Sequence, residues 1–365
     1  MKVGIAGAGL LGRLLAWRLS ALGHAVTVFD PAVDAFDRRR AAGWTAAGML
    51  SPMAELEGAD ARVGELGLRS LPLWADIVGR LPDPVYFRRE GSLLLAHRND
   101  LGTARRLLDV LKAKAPDSCG PQTLSAEGLK DLEPHVQGPS HAWLLEGEGQ
   151  IHTVEAMQAL AADATRRSVC WRWGETVCRL EPGRIENKRF DTVFDVRGVG
   201  ARSTPYPTDA GNDTLSRVRG VRGEMVWLHA PGVSLRRPLR LLHPRWRVYL
   251  VPRPGDIIVV GASEIESEDR SPISVRTLLG LLSAAHSVVP ELAEARLVHT
   301  ETNLRPALPD NLPRIDHQPG LTRINGLFRH GWLIAPALVK DALAQAGMQS
   351  RHDTDFIATT VSRHE

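Results

Sequence analysis

Several residue types that mark particular classes of protein are scarce in this chain. Only 3 of its 365 residues are cysteine, and Cys119, Cys170 and Cys178 have no C-x-x-C spacing. An odd number of cysteines in this arrangement predicts a reducing compartment and no metal site. Aromatic residues make up 5% of the chain, and its densest basic stretches, Arg38 to Arg40 and Arg236 to Arg247, are short. We therefore expect no nucleic-acid partner, and we interpret these stretches as solvated faces or phosphate contacts.

Long apolar runs are missing as well. No window approaches the roughly eighteen apolar residues of a membrane-spanning helix. The N-terminal segment has one lysine and then a glycine-interrupted strand pattern, unlike the charged start and unbroken apolar core of a signal peptide. With 43% hydrophobic residues and a net charge of +3, the composition is that of an ordinary globular protein. We expect a cytoplasmic chain with no membrane span, long enough for two domains.

What the chain does contain is a dinucleotide-binding pattern at its start. An apolar run, Lys2 to Ala6, leads directly into Gly7-Ala8-Gly9-Leu10-Leu11-Gly12, and a helical pattern follows. In such a turn Gly7 permits the tight bend, Gly9 allows backbone to approach a pyrophosphate, and Gly12 allows the helix to pack closely on the strand. The free N–H groups at the start of the helix favour phosphate.

A second apolar run supplies the rest of this unit. Ala25 to Phe29 reads as the next strand and ends at Asp30, whose carboxylate can accept hydrogen bonds from ribose hydroxyls. A glycine-rich turn without a ligand is the alternative, but the strand and helix on either side favour nucleotide binding. FAD and NAD both bind to this unit, so these residues alone leave the cofactor open.

The remaining pattern predicts further strands and helices. Helices are expected at Arg62–Val78, Leu101–Lys114, Thr153–Arg167, with Thr153 as cap, and Pro272–Ala285. Strands are expected in Pro84–Leu95, Trp143–Ile151, Thr176–Leu180, Arg184–Glu186, Asp191–Val196, Gly223–Leu228, Arg247–Val251 and Asp256–Gly261, and a final strand-to-helix passage at Arg323–Leu343. The strands between Thr176 and Val196 are expected to join the first sheet. The tail from Ser350 is expected to fray.

The order of these elements predicts two interleaved domains. Residues 1–83, 142–219 and 322–365 form a discontinuous nucleotide-binding domain, and residues 84–141 and 220–321 form a sheet-rich substrate-binding domain. The fold class is thus α/β combined with α+β. An interrupted nucleotide domain argues against a simple nicotinamide dehydrogenase, in which that domain is usually contiguous.

Two glycine-containing stretches are candidate ligand contacts. Thr45-Ala46-Ala47-Gly48-Met49 is a run of small residues that permits close approach to a flat ligand or, equally, close packing of two helices. Gly198 to Gly200 follow a strand at its carboxyl end, where open α/β sheets bind ligands.

Several segments together resemble a known family. They are Ala46–Leu50 with Glu55 nearby, Gly223-Glu224, Tyr249–Arg253, Val260–Ala262, Leu304–Pro306 and Phe328–Ala337. In these segments the chain resembles the glycine-oxidase branch of the D-amino-acid-oxidase-like FAD-dependent flavoproteins, in particular the bacterial glycine oxidases of thiamine biosynthesis. The segments occur in family order from residue 1 to about residue 345. The resemblance implies a Rossmann-like FAD-binding domain of the GR2, or D-amino-acid-oxidase, type.

The resemblance also implies an activity and its partners. The expected reaction is oxidation of a small amino acid, glycine first, at Cα, with hydride transfer to flavin N5 and formation of an imine. Hydrolysis and reoxidation would give glyoxylate, ammonia and H2O2, with O2 as the electron acceptor. In the thiamine pathway the imine feeds thiazole assembly, which implies a hand-off to a thiazole synthase. Relatives suggest a homo-oligomer.

Residue roles carried over from the family complete the expectation. Arg305 matches the arginine that binds the substrate carboxylate, a role suited to the planar fork of its guanidinium. Tyr249 and Arg329 match residues that complete the pocket above the flavin. The expected FAD contacts are Gly7, Gly9, Leu11, Gly12, Asp30, Thr45, Ala46, Ala47, Gly48, Met49, Val177, Gly198, His330, Gly331, Trp332, Leu333 and Ile334. The backbone of Gly331 to Ile334, opening a helix at Pro336, is expected to face the flavin's pyrimidine edge.

Departures from the family pattern leave alternatives open. Arg197-Gly198-Val199-Gly200 lacks a tryptophan that many relatives have there, and Glu264 and Arg247 stand near the pocket roof where other residues are expected. One alternative is an oxidase of D-amino acids or sarcosine, or a dehydrogenase of them that passes electrons to a quinone or dye in place of oxygen. Another is a flavin-binding accessory protein without turnover. A nicotinamide enzyme is the least favoured.

Overall fold

The structure is a computed structural model and describes residues 1–56, 60–114, 120–203, 214–242 and 247–349, without the side chains of Ser203 and Arg247. The tail expected to fray from Ser350 therefore lies outside the described residues, as do Cys119 and the side chain of Arg247.

The described part of the chain contains eight α-helices and twenty strands. The helices are α1 Leu10–Ala21, α2 Pro52–Glu55, α3 Ala61–Arg80, α4 Leu101–Lys114, α5 Ala126–Leu132, α6 Thr153–Arg166, α7 Val275–Val288 and α8 Gly331–Gln345. The first ten strands are β1 Lys2–Ala6, β2 Ala25–Asp30, β3 Met49–Leu50, β4 Phe87–Arg88, β5 Ser92–Ala96, β6 Gln122–Leu124, β7 His141–Leu145, β8 Gly149–Ile151, β9 Cys170–Trp173 and β10 Leu180–Glu181. The others are β11 Arg184–Ile185, β12 Lys188–Arg189, β13 Thr192–Asp195, β14 Arg219–His229, β15 Leu239–Leu242, β16 Arg247–Arg253, β17 Ile257–Gly261, β18 Arg296–Ala307, β19 Arg314–Gln318 and β20 Leu321–Asn325.

A six-stranded sheet carries the glycine-rich turn. Its order is β19-β20-β13-β1-β2-β9, and every pair is parallel except β19 with β20. Helices α1, α3, α6 and α8 share one apolar core with it, which includes Ile5 of β1, Leu15 of α1 and Trp74 of α3, all fully buried. Strands that are buried on both faces read as continuous apolar runs, which is why β1 and β2 could be predicted.

A mixed eight-stranded sheet forms the second large layer. Its order is β18-β14-β17-β16-β15-β5-β7-β6, with β15 and β5 parallel and the other pairs antiparallel. Helix α7 covers one face through Leu281 and Ala285, which are buried against strand residues such as Leu250. A small sheet, β3-β8-β4, joins segments that are distant in sequence. The fold is thus a mixed α/β fold with several sheets, as the sequence predicts.

Two strand predictions are wrong. Trp143 to Ile151 is not one strand, because Gly147, with φ +77°, turns the chain between β7 and β8, which belong to different sheets. Residues Thr176 to Cys178 are not a strand, and β10, β11 and β12 form a separate antiparallel sheet. Of the strands expected there, only β13 joins the six-stranded sheet. Strand β9, which the sequence analysis did not predict, forms the edge beside β2.

Three helix starts also differ from the prediction. The cap of α6 is His152, whose ring nitrogen accepts from the N–H of Glu155, while the Thr153 hydroxyl donates to the Ala46 carbonyl at 3.0 Å. Helix α7 begins at Val275 after its cap Ser274, not at Pro272. Helix α8 begins at Gly331, so Pro336 lies inside the helix and not in its first turn.

Candidate active site

A cavity of about 1140 Å³ opens between the two large sheets. One wall is the carboxyl edge of the six-stranded sheet, represented by Gly7, Asp30, Gly198 and Asn325. The opposite wall comes from strands of the eight-stranded sheet. The volume exceeds the roughly 300–1,000 Å³ typical of a pocket for one drug-sized ligand, so an extended dinucleotide and a small substrate have room together.

The glycine-rich turn has the geometry that its spacing predicts. Gly7 has φ +105°, and a Cβ there would lie 2.7 Å from the Val196 carbonyl oxygen. A Cβ on Gly12 would overlap the Gly7 carbonyl oxygen, whereas a Cβ on Gly9 would meet nothing nearer than 3.7 Å. Gly7 and Gly12 are therefore required by the turn and the packing of α1, while Gly9 leaves the cavity side of the turn open.

Helix α1 presents an open N-terminus to this cavity. Its cap residue Gly9 provides no side-chain acceptor, and Leu10 and Leu11 of the first turn line the cavity. Asp30 also lines it, accepting from the Ala8 N–H at 2.6 Å through one oxygen. The other oxygen accepts from Ala32 at 2.8 Å. Each carboxylate oxygen has a second lone pair, so Asp30 can also accept from a ligand hydroxyl.

Thr45 to Met49 all line the cavity, so the small-residue stretch faces ligand space and not a helix–helix interface. The carbonyls of this stretch are bound elsewhere. Ala46 accepts from Thr153, Ala47 from the Arg253 guanidinium, and Gly48 from the Ile151 N–H at 2.9 Å. Gly48 has φ +73°, and a Cβ there would overlap the Ile151 carbonyl oxygen.

A second open helix N-terminus faces the same cavity. Helix α8 begins at Gly331 with no side-chain cap, and His330, Gly331, Trp332 and Leu333 line the cavity. Free N–H groups at a helix start carry partial positive charge and suit an anionic group. Ile334 is fully buried in the apolar core and does not line the cavity. Gly12 does not line the cavity either, because it packs against the Gly7 carbonyl behind the cavity wall.

The end of the cavity formed by the eight-stranded sheet holds Arg305 from β18 and Tyr249 from β16. Arg305 Nη1 donates to the Ser263 carbonyl at 3.0 Å and to the Arg222 carbonyl at 3.3 Å, which fixes the guanidinium plane. Burial raises the pKa of Tyr249, although the charge of Arg305 opposes the shift. The phenol therefore stays protonated at neutral pH and can donate beside a guanidinium.

Arg329 also lines the cavity, but its nitrogens are already engaged. Nε and Nη2 donate to Glu55 at 2.9 and 2.6 Å, and Nη1 lies 3.3 Å from Glu264. Glu55 also contacts Arg240 at 3.2 Å and His330 Nδ1 at 3.1 Å. Burial by itself would raise the pKa of Glu55, but Arg329 and Arg240 hold it well below its ordinary range.

This ion network contains residues that the sequence analysis did not select. Arg240 belongs to a basic stretch interpreted as a solvated face or phosphate contact, but it is 5% exposed and lines the cavity. Its neighbours Leu239 and Leu241 in β15 are buried as well, but an arginine between two leucines in a basic stretch is not by itself a signal of burial. The sequence places Glu55 near the small-residue stretch but predicts no function for it. Glu264 lies at the cavity as expected, and the side chain of Arg247 lies outside the described residues.

Arg197 has a definite structural role in the segment that lacks the expected tryptophan. Its guanidinium forms two 2.8 Å hydrogen bonds with the Asp195 carboxylate, and Nη1 donates to the Val177 carbonyl at 2.9 Å. These bonds hold Val177 and Gly198 at the cavity wall. The packing of this corner is therefore provided by an ion pair.

The described ranges contain neither a metal-binding cluster nor a membrane-spanning helix. No group of three or more His, Cys, Asp or Glu side chains there is arranged to hold a metal ion. No helix among those residues is long and apolar enough to cross a membrane.

An arginine–tyrosine pair that lines the same cavity as a dinucleotide-binding turn and two open helix ends fits a dinucleotide-dependent oxidoreductase. The model of the FAD-dependent oxidoreductase family, DAO, matches residues 2–345. The chain is 34% identical over 342 residues to a protein of Rhizobium etli named as a thiamine biosynthesis oxidoreductase, ThiO, covering 93% of this chain and 94% of that one. The chain therefore belongs to the DAO family of FAD-dependent oxidoreductases.

Solved structures share the fold. Glycine oxidase from Geobacillus kaustophilus superposes with a TM-score of 0.79 at 21% identity, covering 95% of each chain. Iminodiacetate oxidase from Chelativorans sp. BNC1 superposes with a TM-score of 0.78 at 23% identity, covering 96% of each chain. FAD is the cofactor of this family, and the cavity fits it, because its glycine turn and two uncapped helix ends lie where a pyrophosphate and an anionic ring would be stabilised.

Proposed function

We propose that this enzyme oxidises a small amino acid at Cα, with glycine as its first substrate. The observation that carries the proposal is the Arg305–Tyr249 pair, a fixed guanidinium beside a neutral phenol on the cavity wall. A planar carboxylate matches the fork of a guanidinium, and the phenol adds a donor. The names of relatives as glycine oxidase and as a thiamine biosynthesis oxidoreductase support the same class of substrate.

The residues of the chain act by binding and orientation. Arg305 and Tyr249 hold the carboxylate, so that Cα is fixed in one position, which is the main requirement of hydride transfer. FAD, when bound, supplies the acceptor for the hydride that leaves Cα. The amine must be neutral as the imine forms, and no acid or base acting on carbon is needed. The Glu55 network holds Arg329 rigidly beside this site, which limits the room available to a larger side chain.

The expected FAD contacts remain part of the proposal. Gly7, Gly9, Leu11 and the start of α1 would hold the pyrophosphate, and Asp30 the ribose. The segments 45–49 and 330–333, with Val177 and Gly198, would enclose the ring system. We also propose that residues 1–83, 142–219 and 322–365 form the FAD domain and residues 84–141 and 220–321 the substrate domain.

The biological setting is proposed from the same relatives. O2 is the proposed electron acceptor, the imine of glycine the product used in thiazole assembly, and a thiazole synthase the partner that receives it. A homo-oligomer in the cytoplasm is the proposed state of the chain.

A peroxide assay tests the proposal. Holoenzyme is incubated aerobically with glycine, sarcosine, D-alanine and D-proline, and H2O2 and glyoxylate are measured. The proposal expects peroxide and glyoxylate in equal amounts from glycine, at the highest kcat/KM of the panel. If the enzyme reduces an added dye but forms no peroxide, it is a dehydrogenase. If kcat/KM is higher for sarcosine or a D-amino acid, that compound and not glycine is the preferred substrate. No turnover with any of them would favour the accessory protein.

A further inference from the structure

Arg253, at the end of β16, is a buried cation that the proposed reaction does not use. The residue is 6% exposed, and its Nη2 donates to the Ala47 carbonyl. Within the described ranges, its Nε and Nη1 have no hydrogen-bond partner. Burial lowers the pKa of Arg253 to about 10, so the side chain still carries its charge at neutral pH. A buried charge with two unsatisfied donor atoms is unfavourable unless another interaction offsets the cost.

The groups around Arg253 provide little compensation. Burial, followed by the charges of Arg253 and Arg38, lowers the pKa of His152 to about 4, so this imidazole is neutral at pH 7. Against the effect of burial, Tyr86 and then the Glu155 carboxylate raise the pKa of Arg253. Glu155 is not hydrogen-bonded to the guanidinium, and one of its oxygens accepts from the Tyr86 N–H at 2.7 Å. Within the described ranges the Arg253 guanidinium therefore has no carboxylate hydrogen-bonded to it.

That charge lies immediately behind the cavity wall. The Ala47 carbonyl that accepts from Arg253 belongs to the stretch Thr45 to Met49, whose residues line the cavity. A Cβ on Gly48 would lie 3.1 Å from Arg253 Nη2, so the guanidinium lies directly against the Ala47–Gly48 backbone. Arg253 itself does not line the cavity.

We propose that Arg253 is a positioning residue for bound FAD, which fixes the Ala47–Gly48 backbone against the ring system and stabilises its anionic reduced form. Reduction adds negative charge to the ring, and a cation behind a thin, dry wall is screened less than one in water. The unsatisfied charge of Arg253 is then offset when the flavin is reduced. The inference rests on the proposed function only through its cofactor and does not depend on which amino acid is oxidised.

A purely structural role makes a different prediction. If Arg253 only held the Ala47 carbonyl, a neutral donor of similar shape would serve equally well. The Arg253→Gln variant keeps an amide donor and loses the charge, whereas Arg253→Lys keeps the charge. Arg276→Gln is the matched control, because it removes one arginine charge from the exposed face of α7, away from the cavity.

The test is the midpoint potential of the bound flavin, measured by dye-equilibrated reductive titration without any amino acid, together with the dissociation constant of FAD. For Arg253→Gln we expect the equilibrium constant for two-electron reduction to fall about tenfold, which is about 30 mV. Arg253→Lys and Arg276→Gln should stay within about threefold of the parent enzyme.

Each remaining outcome also decides the question. A parent-like potential in Arg253→Gln would overturn the proposal. Loss of FAD from Arg253→Gln but not from Arg253→Lys would show that FAD binding requires the charge. Loss of FAD from both variants would show that Arg253 has only a structural role, which would overturn the proposal. Because no amino acid is present, failure of glycine as a substrate would leave these results unaffected.

Discussion

The guanidinium of Arg305 lies against the backbone of Gly223, so closely that a Cβ on Gly223 would be 2.5 Å from Arg305 Cζ. Gly261 lies equally close to Tyr249, the partner of Arg305 in the proposed substrate site. Gly261 lies opposite Tyr249 in the pairing of β16 with β17, and a Cβ there would be 2.6 Å from the phenol oxygen. Glycine inside a strand weakens it and marks a close approach. The two glycines therefore provide the space in which the pair is held.

Gly223→Ala should displace Arg305 and raise KM for the amino acid at least tenfold, because the guanidinium can no longer lie flat on β14. FAD should remain bound, since Gly223 is on the substrate side of the cavity. Gly102→Ala is the control: it lies on the exposed side of α4 with nothing within 4 Å, and should leave KM unchanged. Steady-state kinetics and FAD content check both variants, and a parent-like KM in Gly223→Ala would contradict the assignment.

Arg305→Ala should weaken binding of the amino acid by about 2–5 kcal/mol, as for loss of one partner of a buried charge pair. The flavin spectrum of the oxidised enzyme should not change. Arg296→Ala removes an exposed arginine from the same strand and should have no effect. The measurement is the amino-acid concentration dependence of anaerobic flavin reduction. Normal reduction by the Arg305 variant would remove Arg305 from the mechanism.

Glu55→Gln should destabilise the holoenzyme by about 3 kcal/mol, because Arg329 and Arg240 would lose the carboxylate that they share, whose side chain is 20% exposed. Glu264→Gln is a matched comparison, since Glu264 also pairs with Arg329 but its side chain is 46% exposed. Its loss should cost less than about 1 kcal/mol. Urea unfolding measures the difference. Equal effects of the two substitutions would show that Glu55 does not hold the network together.

Glu148 should make stability depend on pH. The carboxyl group is fully buried and accepts from the N–H groups of Met53 and Ala54 at 2.9 and 3.1 Å at the start of α2. Burial raises its pKa from 4.5 to about 7, so the folded state holds a proton that the unfolded chain releases above about pH 4.5. This contribution is complete below pH 4.5 and is lost as the pH rises through 7.

Glu148→Gln does not titrate and can keep the same acceptor. Relative to the parent enzyme it should therefore become more stable as the pH rises from about 5 to about 8, by about 2–3 kcal/mol. Urea unfolding at both pH values gives the difference, and the exposed Glu146→Gln serves as control. A stability difference that does not change with pH would refute this origin.

The sequence predicted the parts of the fold that are locally encoded. Strand β1, the glycine turn, α1 and β2 were predicted because an apolar run, fixed glycine spacing and helical periodicity occur consecutively. The break between β7 and β8 was missed although Glu146 to Gln150 interrupt the apolar pattern, because the sequence does not show that the two strands enter different sheets. The start of α8 was predicted at Pro336 because proline is common in the first turn of a helix. The helix begins at Gly331, so Pro336 is its sixth residue.

The site could be predicted only where its residues lie in recognisable segments. Arg305, Tyr249 and Arg329 were selected from family-like segments, and the structure brings all three to one cavity. Their surroundings could not be foreseen. Glu55 and Arg240 meet through tertiary packing of segments 185 residues apart, and nothing in a basic stretch distinguishes a buried arginine from an exposed one.

The most direct test of the proposed function is the visible spectrum of the holoenzyme before and after anaerobic addition of glycine. We predict oxidised-flavin bands that bleach on addition of glycine and return when air is admitted. That result would demonstrate a bound flavin and its reduction by glycine, with air reoxidising it. Bands that persist with glycine but bleach with sarcosine, D-alanine or D-proline would contradict the choice of substrate, and bands that persist with all of them would contradict amino-acid oxidation itself.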